Sequence, residues 1–111
     1  MTHILVYGKN EDMLNTVVSL INKEDTWHSE GSTNEERIIE LLQNRSADVL
    51  LLGGGISEHS EKRVRILTKN LSPGTIVVQH DGGESNLFKY KIESALKDAE
   101  QQLHILDNPF D

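Results

Sequence analysis

Short apolar runs alternate with segments of helical periodicity along the chain. Ile4 to Tyr7 has the pattern of a short buried strand. Val49 to Leu52 is uninterrupted and apolar, as a strand covered by helices on both faces must be, and is predicted as the central strand. Thr75 to Val78 predicts a fourth strand. In Thr26 to Glu30 only Trp27 is apolar, which favours a strand at the edge of the sheet.

Two helices are predicted between the first three strands. The first has apolar residues at steps of three and four behind a candidate Asn10 cap. The second begins at Thr33-Asn34-Glu35-Glu36, which matches a capping box with Thr33 as the cap. The apolar positions of the first helix are Met13, Leu14, Val17, Val18 and Ile21.

Two further helices follow the third and fourth strands. The third helix is predicted over Glu58 to Leu71, with Val64, Leu67 and Leu71 facing the core. A long last helix begins after a Ser85 cap and has the clearest apolar periodicity in the chain. The segment from Leu103 to Leu106 either continues this helix or forms a short fifth strand, and the pattern leaves both open.

The alternation predicts an α/β fold with a three-layer, flavodoxin-like architecture. Successive strand starts are separated by about the length of one strand and one crossover helix. Right-handed crossovers and the weak second strand favour a parallel sheet in the order 2-1-3-4 with helices on both faces. No linker-like stretch divides the sequence, so residues 1–111 are predicted to form one domain.

Composition narrows the classes of function. The chain has no cysteine, which excludes disulfides, thiolate metal sites and cysteine nucleophiles and favours a reducing, cytoplasmic setting. Its start has no basic leader and only three consecutive aliphatic residues, so secretion and membrane insertion are disfavoured. Eleven basic against 18 acidic residues give a net charge of −7, which disfavours binding to nucleic acid.

Most of the glycines are predicted at one edge of the sheet. Seven of the eight follow a predicted strand and precede a helix, and this places them at the carboxyl edge, where ligands bind in such folds. Backbone amides in such loops can hold an anion, although tight turning is the favoured explanation of the glycines. The seven are Gly8, Gly31, Gly53, Gly54, Gly55, Gly82 and Gly83.

A small-ligand site at this edge is therefore one hypothesis. Acidic residues crowd the same edge, with Lys9 as the only nearby fixed cation, so a small or neutral ligand is favoured over a nucleotide. The sequences of these loops match neither the dinucleotide-binding fingerprint nor the P-loop motif. The candidate ligand-binding residues are Gly8, Lys9, Gly53, Gly54, Gly55, His59, His80, Gly82 and Gly83.

Two histidines raise the question of a metal or an acid/base pair. His59 follows the triple glycine and His80 ends the fourth strand, so the two can approach each other beside Glu58 and Glu84. Their spacing is not that of a metal motif, and solvated or loop-bracing histidines are favoured. No serine lies in a nucleophile elbow, so acyl transfer has no obvious nucleophile. No cofactor and no catalytic residue are predicted.

The third helix carries a cluster of positive charge. Lys62, Arg63, Arg65 and Lys69 could meet an acidic partner. However, Glu58 and Glu61 precede Lys62 and Arg65 by four residues, the favourable spacing for ion pairs along a helix. An ordinary solvated face is therefore the favoured interpretation.

The runs Ile4-Leu5-Val6-Tyr7 and Asp48-Val49-Leu50-Leu51-Leu52, with the βα alternation around them, resemble a response-regulator receiver domain. That family carries an acidic pair after strand one to hold Mg²⁺, an acceptor Asp after strand three, Thr or Ser after strand four and Lys after strand five. The matching positions here are Gly8 and Lys9, Gly53, and Gln79 or His80. Lys89 is not assigned to the lysine position, because it falls within the last predicted helix.

The resemblance thus implies a degenerate receiver-like domain that cannot accept a phosphoryl group. Gly-Gly-Gly after strand three and Gly-Gly-x-Ser before the final helix also resemble small bacterial proteins of unassigned activity, which implies no activity. The leading prediction is a non-enzymatic signalling or binding module that acts through protein contacts. Association of two copies into a homodimer is one such contact. The alternative is a protein that binds a small ligand or an anion, or a modest enzyme, that uses the glycine-rich loops at the carboxyl edge of the sheet.

Overall fold

A computed structural model describes residues 1–44, 47–80 and 89–98. Within these ranges strands and helices alternate as the sequence predicts. Gly82, Gly83, Ser85 and the segment from Leu103 to Leu106 lie outside the described residues. The elements are β1 Thr2–Tyr7, α1 Glu11–Asn22, β2 Trp27–Ser32, α2 Glu35–Asn44, β3 Val49–Leu52, α3 Glu58–Leu71 and β4 Ile76–Gln79, with a helical segment, α4, at residues 89–98.

The four strands form one parallel sheet in the order β2-β1-β3-β4. Val6 of β1 is level with Gly31 of β2 on one side and with Leu51 of β3 on the other. On the far side of β3, Leu51 is level with Val78 of β4. The predicted sheet, its order and the edge position of β2 are confirmed.

Alternating side chains of β1 and β3 build a core on each face of the sheet. On one face, Ile4 and Val6 pack with residues of α1 and with Ile92 of α4. On the other face, Leu5 and Tyr7 pack with Ile38 of α2 and with residues of α3. Every residue of β3 is buried, as its uninterrupted apolar run predicts. The molecule therefore has the three layers expected of a flavodoxin-like fold.

The inward face of α3 differs from the prediction at its last turn. Val64 is buried as predicted, but Leu71 is 39% exposed, whereas Thr68 is only 1% exposed. Ser60, Val64 and Thr68 recur every four residues, so the buried line continues through threonine rather than through leucine. Thr68 can be buried because its hydroxyl donates to the Val64 carbonyl at 2.7 Å.

The start of α2 also differs from the prediction. The side chain of Asn34, not that of Thr33, caps the helix, because its Oδ1 accepts from the backbone amides of Glu36 at 2.8 Å and Arg37 at 3.4 Å. The capping box with Thr33 as cap is therefore wrong by one residue. The Asn10 cap of α1 is confirmed, since its Oδ1 accepts from the Met13 amide at 3.0 Å.

β2 is longer than predicted, and this changes the position of Gly31. The strand continues to Ser32, so Gly31 lies within it rather than in the loop that follows. A Cβ at Gly31 would lie 2.6 Å from the Val6 carbonyl oxygen and 2.9 Å from a methyl group of Leu14. Gly31 therefore permits β2 to pack closely against β1 and α1, and it lies within the strand rather than in the loop at the carboxyl edge.

Two lysines near the start of α4 contact neighbouring elements of the fold. Lys89 forms an ion pair with Glu24 just after α1, with Nζ 2.6 Å from Oε1, and the hydrogen bond and charge of Glu24 raise the pKa of Lys89. Lys91 donates to the Gln79 carbonyl of β4 at 3.2 Å. Within the described ranges, no helix has both the length and the apolar character needed to cross a membrane.

Candidate functional site

The loops after β1 and β3 meet at the carboxyl edge, where the strand order changes direction. The Gly53 amide donates to the Tyr7 carbonyl at 2.7 Å, and the Lys9 amide donates to the Gly54 carbonyl at 3.4 Å. On the other side of β3, the His80 amide donates to the Leu52 carbonyl at 2.8 Å. Backbone hydrogen bonds thus continue from the strands into the loops and hold the loops after β1 and β3 side by side at the carboxyl edge, where ligands bind in such folds.

The glycines of these loops have different roles. Gly8 and Gly53 face each other, and a Cβ on Gly53 would lie 3.5 Å from Gly8 Cα, an ordinary contact. Gly55 has a φ of 81°, a conformation that side chains disfavour, and a Cβ there would lie 3.2 Å from Lys9 Cβ. Gly54 has open space around it. Of the three consecutive glycines, only Gly55 is therefore required by backbone conformation.

A cavity of about 490 Å³ opens at this edge, on the α1 side of the sheet; we call it the edge cavity. It brings together six of the nine predicted ligand-binding residues, namely Gly8, Lys9, Gly53, Gly54, Gly55 and His80. The remaining described residues that line it are Val6, Asn10, Met13, Leu14, Val17 and Leu51. Sequence reasoning missed this apolar wall because it assigned those aliphatic side chains to the core.

His59 is not part of the edge cavity. It is exposed on α3 and lines a separate cavity of about 470 Å³ with Lys62, Arg63, Ile66 and Leu67. The hypothesis that His59 and His80 share one site is therefore wrong, because α3 directs His59 to a different surface. In the parts of the chain that the structure describes, no three histidine or acidic side chains are grouped so that they could hold a metal ion.

The ammonium group of Lys9 lies away from the edge cavity. Its Nζ donates to the Thr33 carbonyl at 3.0 Å and lies 5.5 Å from the centre of the Tyr7 ring, which faces the α2 and α3 layer. The side chain thereby joins the loops after β1 and β2. The prediction that Lys9 is the only fixed cation near this edge is wrong, since Lys91 reaches the end of β4 from α4.

A buried polar chain runs beneath this lysine and was not predicted. The Ser60 hydroxyl donates to Glu35 Oε1 at 2.6 Å, so the Tyr7 hydroxyl, 2.8 Å from Ser60 Oγ, must donate to Ser60. Glu35 also lies 3.4 Å from Nε of Arg63. Tyr7 is fully buried, so Ser60 provides the partner that its hydroxyl needs. The sequence signal was a tyrosine at the end of an otherwise aliphatic strand.

The positive charges of α3 are largely paired. Lys62 lies 3.5 Å from Glu58 and Arg65 lies 3.8 Å from Glu61, so the two ion pairs predicted along the helix are confirmed. These pairs are exposed or half exposed, where each contributes only a few tenths of a kcal/mol, roughly 0.2–0.5. An ordinary solvated face accounts for this cluster.

The architecture is that of a receiver-like α/β domain, and solved structures confirm this. The receiver domain of NtrC4 from Aquifex aeolicus aligns with a TM-score of 0.62 and 18% identity, over 86% of this chain and 78% of that domain. A putative pilus assembly-related protein from Burkholderia pseudomallei K96243 aligns with a TM-score of 0.62 and 18% identity, over 92% and 91% of the two chains.

A putative pilus assembly protein, CpaE, from Burkholderia thailandensis E264 aligns with a TM-score of 0.59 and 17% identity, over 91% of this chain and 99% of that one. At such identities these likenesses define the fold. No protein-family model and no curated protein matches the sequence. The receiver-like resemblance predicted from the βα pattern is thus confirmed at the level of the fold.

Proposed function

We propose that this chain is a receiver-like signalling module that acts through protein contacts and does not transfer phosphate. We further propose that it is a single, non-enzymatic domain that works in the cytoplasm. The proposal is supported most by the residues at the carboxyl edge. Gly8 and Lys9 follow β1, and Gly53 follows β3, at the positions where a receiver carries its acidic pair and its acceptor.

The chemistry of those positions favours binding over phosphotransfer. An acyl phosphate forms on a carboxylate, and neither Gly53 nor its amide provides one. A metal ion that promotes the reaction needs oxygen ligands, whereas the loop after β1 presents a glycine and a lysine. A Cβ at Gly53 would meet Gly8 Cα at 3.5 Å, so the residue opposite Gly53 has no side chain that could bind a metal ion.

Incubation with acetyl phosphate and Mg²⁺ is expected to leave the intact mass of the protein unchanged. The reason is that the loops after β1 and β3 offer no carboxylate at the receiver positions. A receiver domain with its acceptor intact, treated in the same tube, controls for the activity of the phosphodonor. A hydroxylamine-sensitive adduct heavier by one phosphoryl group would refute the proposal that the module works without phosphorylation.

A second copy of this chain is the simplest protein partner for the module. β2 is an edge strand of the described sheet, and Tyr90 on α4 is 69% exposed. We expect the mass measured by light scattering to rise above the 12.5 kDa of the monomer as concentration increases. Tyr90→Glu should reduce this rise if α4 forms the contact, whereas Ile66→Glu, a matched change on the opposite face, should not. A monomer at every concentration would exclude self-association.

A further inference from the structure

We propose that the edge cavity binds a neutral, mainly apolar small molecule. This inference is independent of the phosphate chemistry discussed above, because it depends on the α1 side of the sheet and not on the missing carboxylates. The sequence favours a small or neutral ligand over a nucleotide at six of the residues that line this cavity, and the inference narrows that ligand to a neutral, mainly apolar molecule.

The size of the cavity suits a small organic molecule. A volume of about 490 Å³ falls within the roughly 300–1,000 Å³ of ligand pockets. It is well above the roughly 150 Å³ that an apolar cavity needs to hold benzene. One or two fused rings would therefore fit.

The wall of the cavity is apolar. Val6 and Leu51 come from the two central strands, and Leu14 and Val17 come from the inner face of α1. These aliphatic groups offer dispersion contacts and a dry surface but nothing that pairs with a charge. Burial of an apolar ligand against them is favoured because it removes apolar surface from water.

The side chains of Lys9 and Asn10, which line the rim, are already engaged in hydrogen bonds. The Lys9 ammonium is bound to the Thr33 carbonyl on the opposite side of the sheet, and Asn10 Oδ1 accepts from the Met13 amide. Lys91 is bound to the Gln79 carbonyl and is not among the described residues that line the cavity. A phosphate or carboxylate in the cavity would therefore lose its hydration without gaining a fixed cation.

Met13 indicates where the ligand enters. It lies in the first turn of α1 and lines the cavity, yet it is 44% exposed, unlike Leu14 and Val17. The first turn of a helix favours acidic side chains, which Glu11 and Asp12 provide just before it. A flexible thioether at this place adapts to apolar ligands of different shapes.

The test is a titration of the full chain with N-phenylnaphthylamine, a neutral fluorescent probe. Anilinonaphthalene sulfonate, which has the same ring system with a negative charge, and inorganic phosphate are titrated in parallel. We expect saturable binding of the neutral probe and binding of the sulfonate and of phosphate that is about tenfold weaker or worse. Comparable binding of both dyes, or binding of phosphate alone, would overturn the ligand class.

Met13→Glu should weaken binding of the neutral probe by about tenfold or more, because it removes apolar contact and places a charge at the entrance. The variant is expected to fold, since an acidic residue suits the first turn of a helix. Ile66→Glu is the matched control, because Ile66 is 61% exposed and lines a different cavity on α3. Equal weakening by both variants would overturn the proposal.

Amide NMR spectra locate the bound probe without any substitution. The amides of Gly8, Gly53 and Gly54 should shift on addition of the neutral probe, whereas that of Gly74, at the opposite edge before β4, should not. Shifts confined to α3, or the absence of saturable binding, would refute the site. The same glycine shifts on raising the protein concentration without probe would show that a second copy fills the cavity, which would also refute it.

Discussion

Replacing Gly31 by alanine is expected to lower the free energy of unfolding by about 1–3 kcal/mol, measured by urea denaturation. The added methyl group would lie 2.6 Å from the Val6 carbonyl oxygen, a backbone atom that β1 holds in the centre of the sheet. It would also lie 2.9 Å from a methyl group of Leu14. The steric overlap of the added methyl group can therefore be relieved only if β1, β2 and α1 move apart.

Gly74→Ala is the matched control for this substitution. A Cβ at Gly74 has open space around it, and its φ lies outside the left-handed region. This exchange should leave the free energy of unfolding unchanged or raise it by about 0.4–1 kcal/mol, because alanine gives the unfolded chain less conformational freedom than glycine. If both variants unfold at the same urea concentration, the close packing assigned to Gly31 is wrong.

Ser60→Ala is expected to cost about 1–3 kcal/mol, because it removes the acceptor of a fully buried tyrosine hydroxyl. Glu35 also loses its hydrogen bond to Ser60, but this loss costs less free energy, because its side chain is partly exposed and still pairs with Arg63. Tyr7→Phe alone should cost less, about 0.5–1.5 kcal/mol, because Ser60 still donates to Glu35.

The double variant distinguishes a polar chain from independent contacts. Adding Tyr7→Phe to Ser60→Ala removes the hydroxyl left without a partner, so the double variant should be more stable than Ser60→Ala alone. Urea denaturation of the unmodified chain, the two single variants and the double variant measures the coupling energy between the two hydroxyl groups. Effects that add within about 0.5 kcal/mol would show that the Tyr7 and Ser60 hydroxyls do not depend on each other.

The strands and their order were predictable because their signals are strong. Val49 to Leu52 can be covered on both faces only at the centre of a sheet, and the right-handed crossover rule then fixes the neighbours. Gly31 was misplaced because β2 has few apolar residues, so nothing in its pattern marks where the strand ends. Leu71 was predicted to face the core because apolar periodicity does not show that Thr68 can be buried in its place. Thr68 can be buried because its hydroxyl donates to a backbone carbonyl of its own helix.

The place of the candidate site was predictable from the sequence, but its chemical environment was not. The topological rule brought the loops after β1 and β3 together from sequence alone. It does not specify side-chain direction, so it could not show that Lys9 reaches across to Thr33 or that His59 faces another surface. It also could not reveal that α1 leaves space against β1 and β3, because a lining residue and a core residue have the same apolar pattern.

The residues at positions 8, 9 and 53 make it difficult to introduce receiver-type phosphate chemistry into this chain by mutation. Gly53→Asp would fit sterically, because its Cβ would meet Gly8 Cα and the Tyr7 carbonyl oxygen at 3.5 Å. The new carboxylate would nevertheless find no acidic neighbours at positions 8 and 9 with which to share a magnesium ion. No single exchange at positions 8, 9 and 53 would therefore provide both a phosphate acceptor and the acidic residues that hold its metal ion.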